Sequence, residues 1–332
     1  MKHITVVTPC YNEEENVEEV YRQTRAVFET IEGVSYEHLF IDNASTDRTP
    51  ELLRMLAAAD PSVKVILNAR NFGHIRSPYH GLLQARGDAA ILLVADLQDP
   101  PELMKEFIAR WLDGARLVVG VKPTADESGL MFAIRRAYYR TVTRIADVKL
   151  IQNFTGFGLY DRTVLEELRR IDDPYPYLRG LVSEVGFEAV QVPYNQPRRR
   201  RGITKNNFYT LYDIAMLGIT SHSRMPLRIA TMAGFALSGL SLAVSLLYLL
   251  LKVVFWSQFS AGLAPILIGM FFFASVQLFF IGLLGEYVGA ILTHVMKRPL
   301  VVERERLNFD SPLNDAASLQ NAGADMTLKH NW

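Results

Sequence analysis

Asp96 and Gln98 stand two residues apart in the octapeptide Val94-Ala-Asp-Leu-Gln-Asp-Pro-Pro101, just beyond a short apolar run. Carboxylate and amide oxygens at this spacing suit a hard divalent cation. Magnesium in particular takes one or two protein oxygens and leaves its other positions to phosphate and water. Asp42 closes a second apolar run, residues 36–41, and can reach a ribose hydroxyl or a base edge, while Tyr11 can stack on a base. Two carboxylates facing a diphosphate repel it, and a metal ion relieves that repulsion. The plainer alternatives are a surface loop whose aspartates cap the next helix, and a Tyr11 that only packs.

These residues need strand ends to carry them. Residues 3–8, 36–41, 63–67, 89–94 and 116–120 are short, apolar and rich in β-branched side chains, and they read as strands. Helical periodicity lies between them: 17–31, 48–59, 75–86 and 101–112. Asn12 is placed to cap the first helix, with Glu13, Glu14 and Glu15 suited to its dipole; Asp47 is placed to cap the second. Strands alternating with helices predict a doubly wound, mostly parallel sheet of the α/β class. Asn12, Asp42, Arg70 and Asp96 then gather at the carboxyl ends of the strands, where such sheets bind ligands. Further on, 124–150 reads as helical. Residues 153–158 read as a glycine-punctuated loop, 161–171 and 175–185 as helices, and 188–192 as a strand.

The charge balance names no partner, because 35 Lys and Arg face 35 Asp and Glu in 332 residues. One cysteine, Cys10, excludes a disulfide framework within one chain. The distribution is more informative. Residues 198–201 are all arginine, followed by Gly202-Ile-Thr-Lys205. Nucleic acid, anionic lipid and a specific phosphate are the possible readings. The lack of a wider basic surface argues against nucleic acid, and the position before apolar segments favours a lipid phosphate. Residues 208–219 form one apolar helical face, fit either to lie in a membrane interface or to pack on the domain. Residues 227–254 and 264–292 are each long enough to span a bilayer. Arg224, Arg228, Lys297 and Arg298 flank the pair, against Lys252 alone near the connecting loop. The positive-inside rule therefore places the catalytic domain and both termini in the cytoplasm of a multi-pass inner-membrane protein. The expected organisation is a catalytic domain at 1–205, an amphipathic juxtamembrane helix at 206–225, two transmembrane helices at 226–295, and a cytoplasmic tail at 296–332 that is polar and partly disordered from about 303.

A nucleotide-type cleft, a phosphate-binding loop and a membrane anchor together fit sugar transfer from a nucleotide donor to a lipid carrier phosphate. The chain resembles the GT-A-fold (Rossmann-like) polyisoprenyl-phosphate glycosyltransferases, which include dolichyl-phosphate mannose synthases and undecaprenyl-phosphate glucosyltransferases. The resemblance spans residues 3–295. Its motifs are Val7-Thr-Pro-Cys-Tyr-Asn-Glu-Glu-Glu-Asn16, Ile41-Asp-Asn-Ala-Ser-Thr-Asp47, Arg70-Asn-Phe-Gly-His74, Ala95-Asp-Leu-Gln-Asp-Pro-Pro-Glu102, Leu178-Arg-Gly-Leu181 and Arg201-Gly-Ile-Thr-Lys205. It implies an inverting transfer, a divalent metal (magnesium or manganese), a UDP- or GDP-linked sugar, a polyprenyl phosphate acceptor, and a homo-oligomer, often a tetramer. By position, Pro9, Tyr11, Glu13, Asp42, Arg70 and Asp96 would line the nucleotide sugar. Asp96 and Gln98 would meet the metal, and Arg199, Arg201 and Lys205 the acceptor phosphate.

Four positions depart from the family pattern. Val94 and Asn43 stand where aspartates are usual. Gly156 and Gly158 replace an aspartate taken as the catalytic base and an arginine, aligned through Leu159-Tyr160-Asp161-Arg162. A phosphomonoester has a second pKa of about 6 and is mostly dianionic at neutral pH. It needs orientation more than deprotonation, so the expected machinery is Asp96 with Arg199 and Lys205. Glu184 is the one candidate for a substitute base, and a solvated helix residue is its alternative. The same donor with a hydroxyl acceptor, or a non-catalytic nucleotide-sugar-binding membrane scaffold, are the competing readings.

Overall fold

The computed structural model describes residues 1–122, 151, 153–195, 225–255 and 263–309. The expected helix at 124–150, the arginine loop, and the juxtamembrane helix up to residue 224 lie outside them. The described strands form one sheet: β1 (Lys2–Cys10), β2 (Val34–Asp42), β3 (Val63–Asn68), β4 (Ala89–Leu92), β5 (Leu117–Val121), β6 (Phe154–Asp161), β7 (Ala189–Pro193) and β8 (Glu303–Leu307). Their order is β7-β5-β6-β4-β1-β2-β3-β8. The run β4-β1-β2-β3 is parallel. β6 is antiparallel to both β4 and β5, and β8 is antiparallel to β3.

The helices are α1 (Val17–Phe28), α2 (Thr49–Ala59), α3 (Gly73–Gln84), α4 (Met104–Leu112), α5 (Arg162–Ile171), α6 (Leu178–Glu184), α7 (Met225–Val254) and α8 (Leu263–Val295), with a short 3-10 turn at Pro101–Leu103. Side chains alternate across a strand, so the sheet buries both faces. Ile4, Val6, Ile91 and Val118 meet Val20, Phe107 and Trp111 of α1 and α4 on one side. Val7, Ile41, Leu92 and Val119 meet Tyr79, Leu82, Val164 and Leu181 of α3, α5 and α6 on the other. The doubly wound, mostly parallel α/β architecture expected from the sequence is the one observed.

Two local expectations are corrected. Residues 154–161 are a strand, not a loop, and Gly158 sits where β6 is squeezed between β4 and β5. Asn12 does not cap α1. Its backbone is left-handed (φ 56°), and its side-chain oxygen accepts from the Thr46 amide at 2.8 Å; Asn16 holds the cap position. Within the tail, residues 303–307 form β8, which pairs with β3. Its charged sequence carries no apolar signal, and ion pairs hold it instead: Arg54 to Glu305 at 2.7 Å and His80 to Glu303 at 2.6 Å.

At 30 and 33 residues, α7 and α8 each exceed the roughly 20 residues that a bilayer core requires. Their apolar side chains point outward: Phe235 is 75% exposed and Leu278 69%. Both are therefore long and apolar enough to cross a membrane. The chain leaving α8 returns to the domain. His294 Nε2 lies 3.4 Å from the Asp173 carboxylate, and the Arg76 guanidinium donates to the Pro299 carbonyl.

Candidate active cleft

A cleft of about 510 Å³ opens at the carboxyl ends of β1, β2 and β4. β1 and the turn after it contribute Pro9, Tyr11 and Glu13 to the wall, and β2 is followed by Asn43. The β3–α3 turn contributes Asn71 and His74; β4 and its extension give Leu92 and Val94; β6 gives Thr155 and Gly156; and Tyr177 and Arg179 come from the start of α6. Pro9, Tyr11 and Glu13 stand together on this wall, whereas Asp42, Arg70, Asp96 and Gln98 are not among its lining residues. Three non-glycine residues in left-handed backbone cluster at these strand ends: Asn12, Ala44 and Leu97 (φ 56°, 59° and 55°). Such conformations cost about 1 kcal/mol or more each and concentrate at ligand sites.

Asp42 is fully buried at the end of β2. One carboxylate oxygen accepts from the Ser45 amide at 3.1 Å and the other from the Ser45 hydroxyl at 2.5 Å. Burial raises its pKa, and the Ser45 bonds only partly offset that. The carboxylate therefore shapes the 43–45 turn, and it is Asn43 that reaches the cleft wall. Asn43 is itself fully engaged: Nδ2 donates to Asn71 Oδ1 (2.9 Å) and the Gly73 carbonyl (3.1 Å), and Oδ1 accepts from the Phe72 amide (2.9 Å) and Asn68 Nδ2 (3.2 Å). Arg70 is exposed, with its guanidinium 4.0 Å over the Phe72 ring and donating to the Asn71 carbonyl.

Asp96 is half-buried past the end of β4, and its Oδ1 accepts the Gln98 amide at 3.1 Å across the left-handed Leu97. Next to it, Asp99 is buried and accepts from the Tyr194 hydroxyl. Burial raises the Asp99 pKa, and the residue anchors the loop to β7. Among the described residues no three His, Cys, Asp or Glu side chains come together. A metal cage made of protein alone does not fit this set. One carboxylate and a neighbouring amide do fit a magnesium-type ion that keeps its phosphate and water ligands.

The departures have structural causes. Gly156 has φ +108°, a conformation that L side chains rarely adopt, so an aspartate there is strained whatever the space. A Cβ on Gly158 would lie 2.6 Å from the Val118 carbonyl oxygen of the paired strand, and no side chain fits. Val94 is 37% exposed and faces the cleft as an apolar group. Glu184, the candidate substitute base, is exposed at the far end of α6 from Arg179. Arg199, Arg201 and Lys205 lie outside the described residues. The residues that sequence reasoning left unassigned are His74, Asn71, Tyr177 and Arg179. Three of them, Asn71, His74 and Arg179, sit inside the motifs Arg70–His74 and Leu178–Leu181, and only Tyr177 lies outside both.

The chain is similar to known glycosyltransferases. A profile described as "Glycosyl transferase family 2" matches residues 5–169. The chain is 34% identical over 314 residues (93% of this chain, 96% of the relative) to the uncharacterized glycosyltransferase YkcC of Bacillus subtilis. It is 33% identical over 297 residues (89% and 96%) to the SfII prophage-derived bactoprenol glucosyl transferase of Shigella flexneri. Among solved structures, a mannosyltransferase from Pyrobaculum calidifontis in complex with GDP-Man and Mn2+ superposes with a TM-score of 0.42 at 16% identity, covering 88% of this chain and 86% of that one.

Proposed function

The chain belongs to glycosyl transferase family 2, and we propose that it moves a sugar from a UDP- or GDP-linked donor to a polyprenyl phosphate at a membrane surface. The observation that carries this reading is the similarity to a bactoprenol glucosyl transferase, which runs through both the cleft and the two apolar helices. Pro9, Tyr11 and Glu13 take the nucleotide, with Asp42 shaping the adjoining turn and Arg70 at its outer edge. Asp96 and Gln98 hold a divalent ion, which screens the charge of the donor diphosphate when bound. Arg199, Arg201 and Lys205 draw in the acceptor phosphate. α7 and α8 span the membrane, with the catalytic domain and both termini on the cytoplasmic side.

The step needs no protein base. An oxygen of the acceptor phosphate dianion attacks the anomeric carbon from the face opposite the leaving group. The bond from that carbon to the donor diphosphate breaks, and its electron pair leaves with the nucleoside diphosphate. No proton moves, and the sugar is inverted. This chemistry is consistent with Gly156, whose backbone disfavours the usual aspartate. A hydroxyl acceptor would need a base at the same place.

Membranes containing the protein, incubated with labelled nucleotide sugars, magnesium or manganese and undecaprenyl phosphate, test the reading. A mild-acid-labile labelled lipid is expected. Label in an acid-stable glycolipid would move the acceptor to a hydroxyl. Donor binding without turnover across a broad donor panel would reduce the protein to a binding scaffold.

A further inference from the structure

Two basic side chains share the cleft wall without partners. Arg179 stands in the first turn of α6 and His74 in the first turn of α3, and both line the cavity. Among the described residues no hydrogen bond or ion pair engages the Arg179 guanidinium or the His74 ring. An arginine fork that lines a cleft is suited to a phosphate. Burial and then the Arg179 charge lower the His74 pKa, which keeps the imidazole neutral near pH 7 with one N–H to donate.

The surroundings select which phosphate. A Cβ on Gly156 would lie 3.8 Å from Leu178 Cδ2, so the turn carrying Arg179 faces the position left open by the absent aspartate. The α3 flank of the cleft is tied to the chain leaving the second apolar helix, since Arg76 donates to the Pro299 carbonyl. Arg76 Nε is buried and makes no hydrogen bond. Burial, followed by the charges of Arg70 and Arg298, lowers the Arg76 pKa, so this flank is a concentrated positive field.

We infer that Arg179, assisted by His74, binds the phosphomonoester of the lipid acceptor inside the cleft. Arg179 seats that phosphate beside the position left open at Gly156. This rests on the reading above as to the acceptor's identity, but it is testable without turnover. Full-length protein in nanodiscs is titrated with polyprenyl phosphate, with uncharged polyprenol, and separately with nucleoside diphosphate. The wild type should prefer the phosphate lipid to the alcohol. Arg179→Ala should remove most of that preference, about tenfold or more in Kd, and His74→Ala a smaller part. Arg179→Lys should retain an intermediate preference, which separates loss of charge from loss of fold. Nucleoside diphosphate affinity should stay within about twofold. A loss confined to nucleoside diphosphate would assign Arg179 to the donor and overturn the inference, as would no change in either ligand. Phosphate-lipid binding that depends on Arg179 in a protein that transfers no sugar would support the inference while refuting the transfer reading.

Discussion

Asn43 Nδ2 donates to Asn71 Oδ1 at 2.9 Å and so fastens the end of β2 to the β3–α3 turn on the cleft wall. With its other three bonds, Asn43 donates twice and accepts twice. Only an amide does both. The departure from the family's aspartate is thus a different way of building the cleft, in which a neutral cross-brace takes the place of a charge.

Asn43→Asp should therefore destabilise the protein, although it restores the residue expected from the resemblance. Two donations are lost, and a carboxylate at a position only 6% exposed faces Asn71 Oδ1 and the Gly73 carbonyl. An unsatisfied buried polar group costs about 1–3 kcal/mol. Thermal unfolding at pH 7 should show a Tm lower by several degrees. A Tm equal to the wild type's would mean that the brace does not hold the turn.

Gly156→Asp should lower activity. The backbone at φ +108° must relax or strain to accept any side chain, at a cost of about 1–3 kcal/mol. That relaxation moves a wall residue of the cleft. Gly158→Arg should be worse, because its Cβ meets backbone and not a movable side chain. Initial rates and melting temperatures of both variants check this. A Gly156→Asp enzyme faster than the wild type would show that the chemistry does want a base there.

Much of this was legible in the sequence. The strand ends carrying Asp42 and Asp96 follow from β-branched runs and from Pro100-Pro101, and the apolar spans from length. What was not legible came from tertiary context. β6 is punctuated by glycines because the Val118 carbonyl crowds Gly158 and Gly156 needs a positive φ, and a linear reading takes those glycines for a loop. β8 is Glu-Arg-Glu-Arg-Leu, whose partners lie more than 200 residues earlier. Asp42 reads as a ligand group, yet its burial against Ser45 depends on the left-handed Ala44, which no pattern announces.

Asp96→Ala should lower the transfer rate by about 10²-fold or more, the scale of losing an electrostatic group at a reacting centre. Asp96 is half-exposed and bonded locally to Gln98, so its loss should leave the melting temperature nearly unchanged. Chelation should abolish wild-type activity, and excess magnesium or manganese should restore it. Full activity in the alanine variant, or in the chelated wild type, would remove the metal from the proposed chemistry.

The β8 strap should loosen in acid. Burial alone would raise the Glu303 pKa, but the hydrogen bonds from His80 and Arg306 outweigh it and bring the group down to about 2. A carboxylate whose folded pKa lies below its unfolded value stabilises the fold above the unfolded pKa of about 4.3. That contribution is lost as pH falls from there through about 2. The full shift corresponds to at most about 3 kcal/mol at neutral pH, less what solvent screening removes. Glu303→Gln should therefore unfold at a lower temperature than the wild type at pH 7, and the two melting curves should converge as pH drops below about 4. The variant also leaves the backbone pairing of β8 to β3 intact, so a gap that persists unchanged into acid would place the strap's stability in that pairing and not in the Glu303 carboxylate.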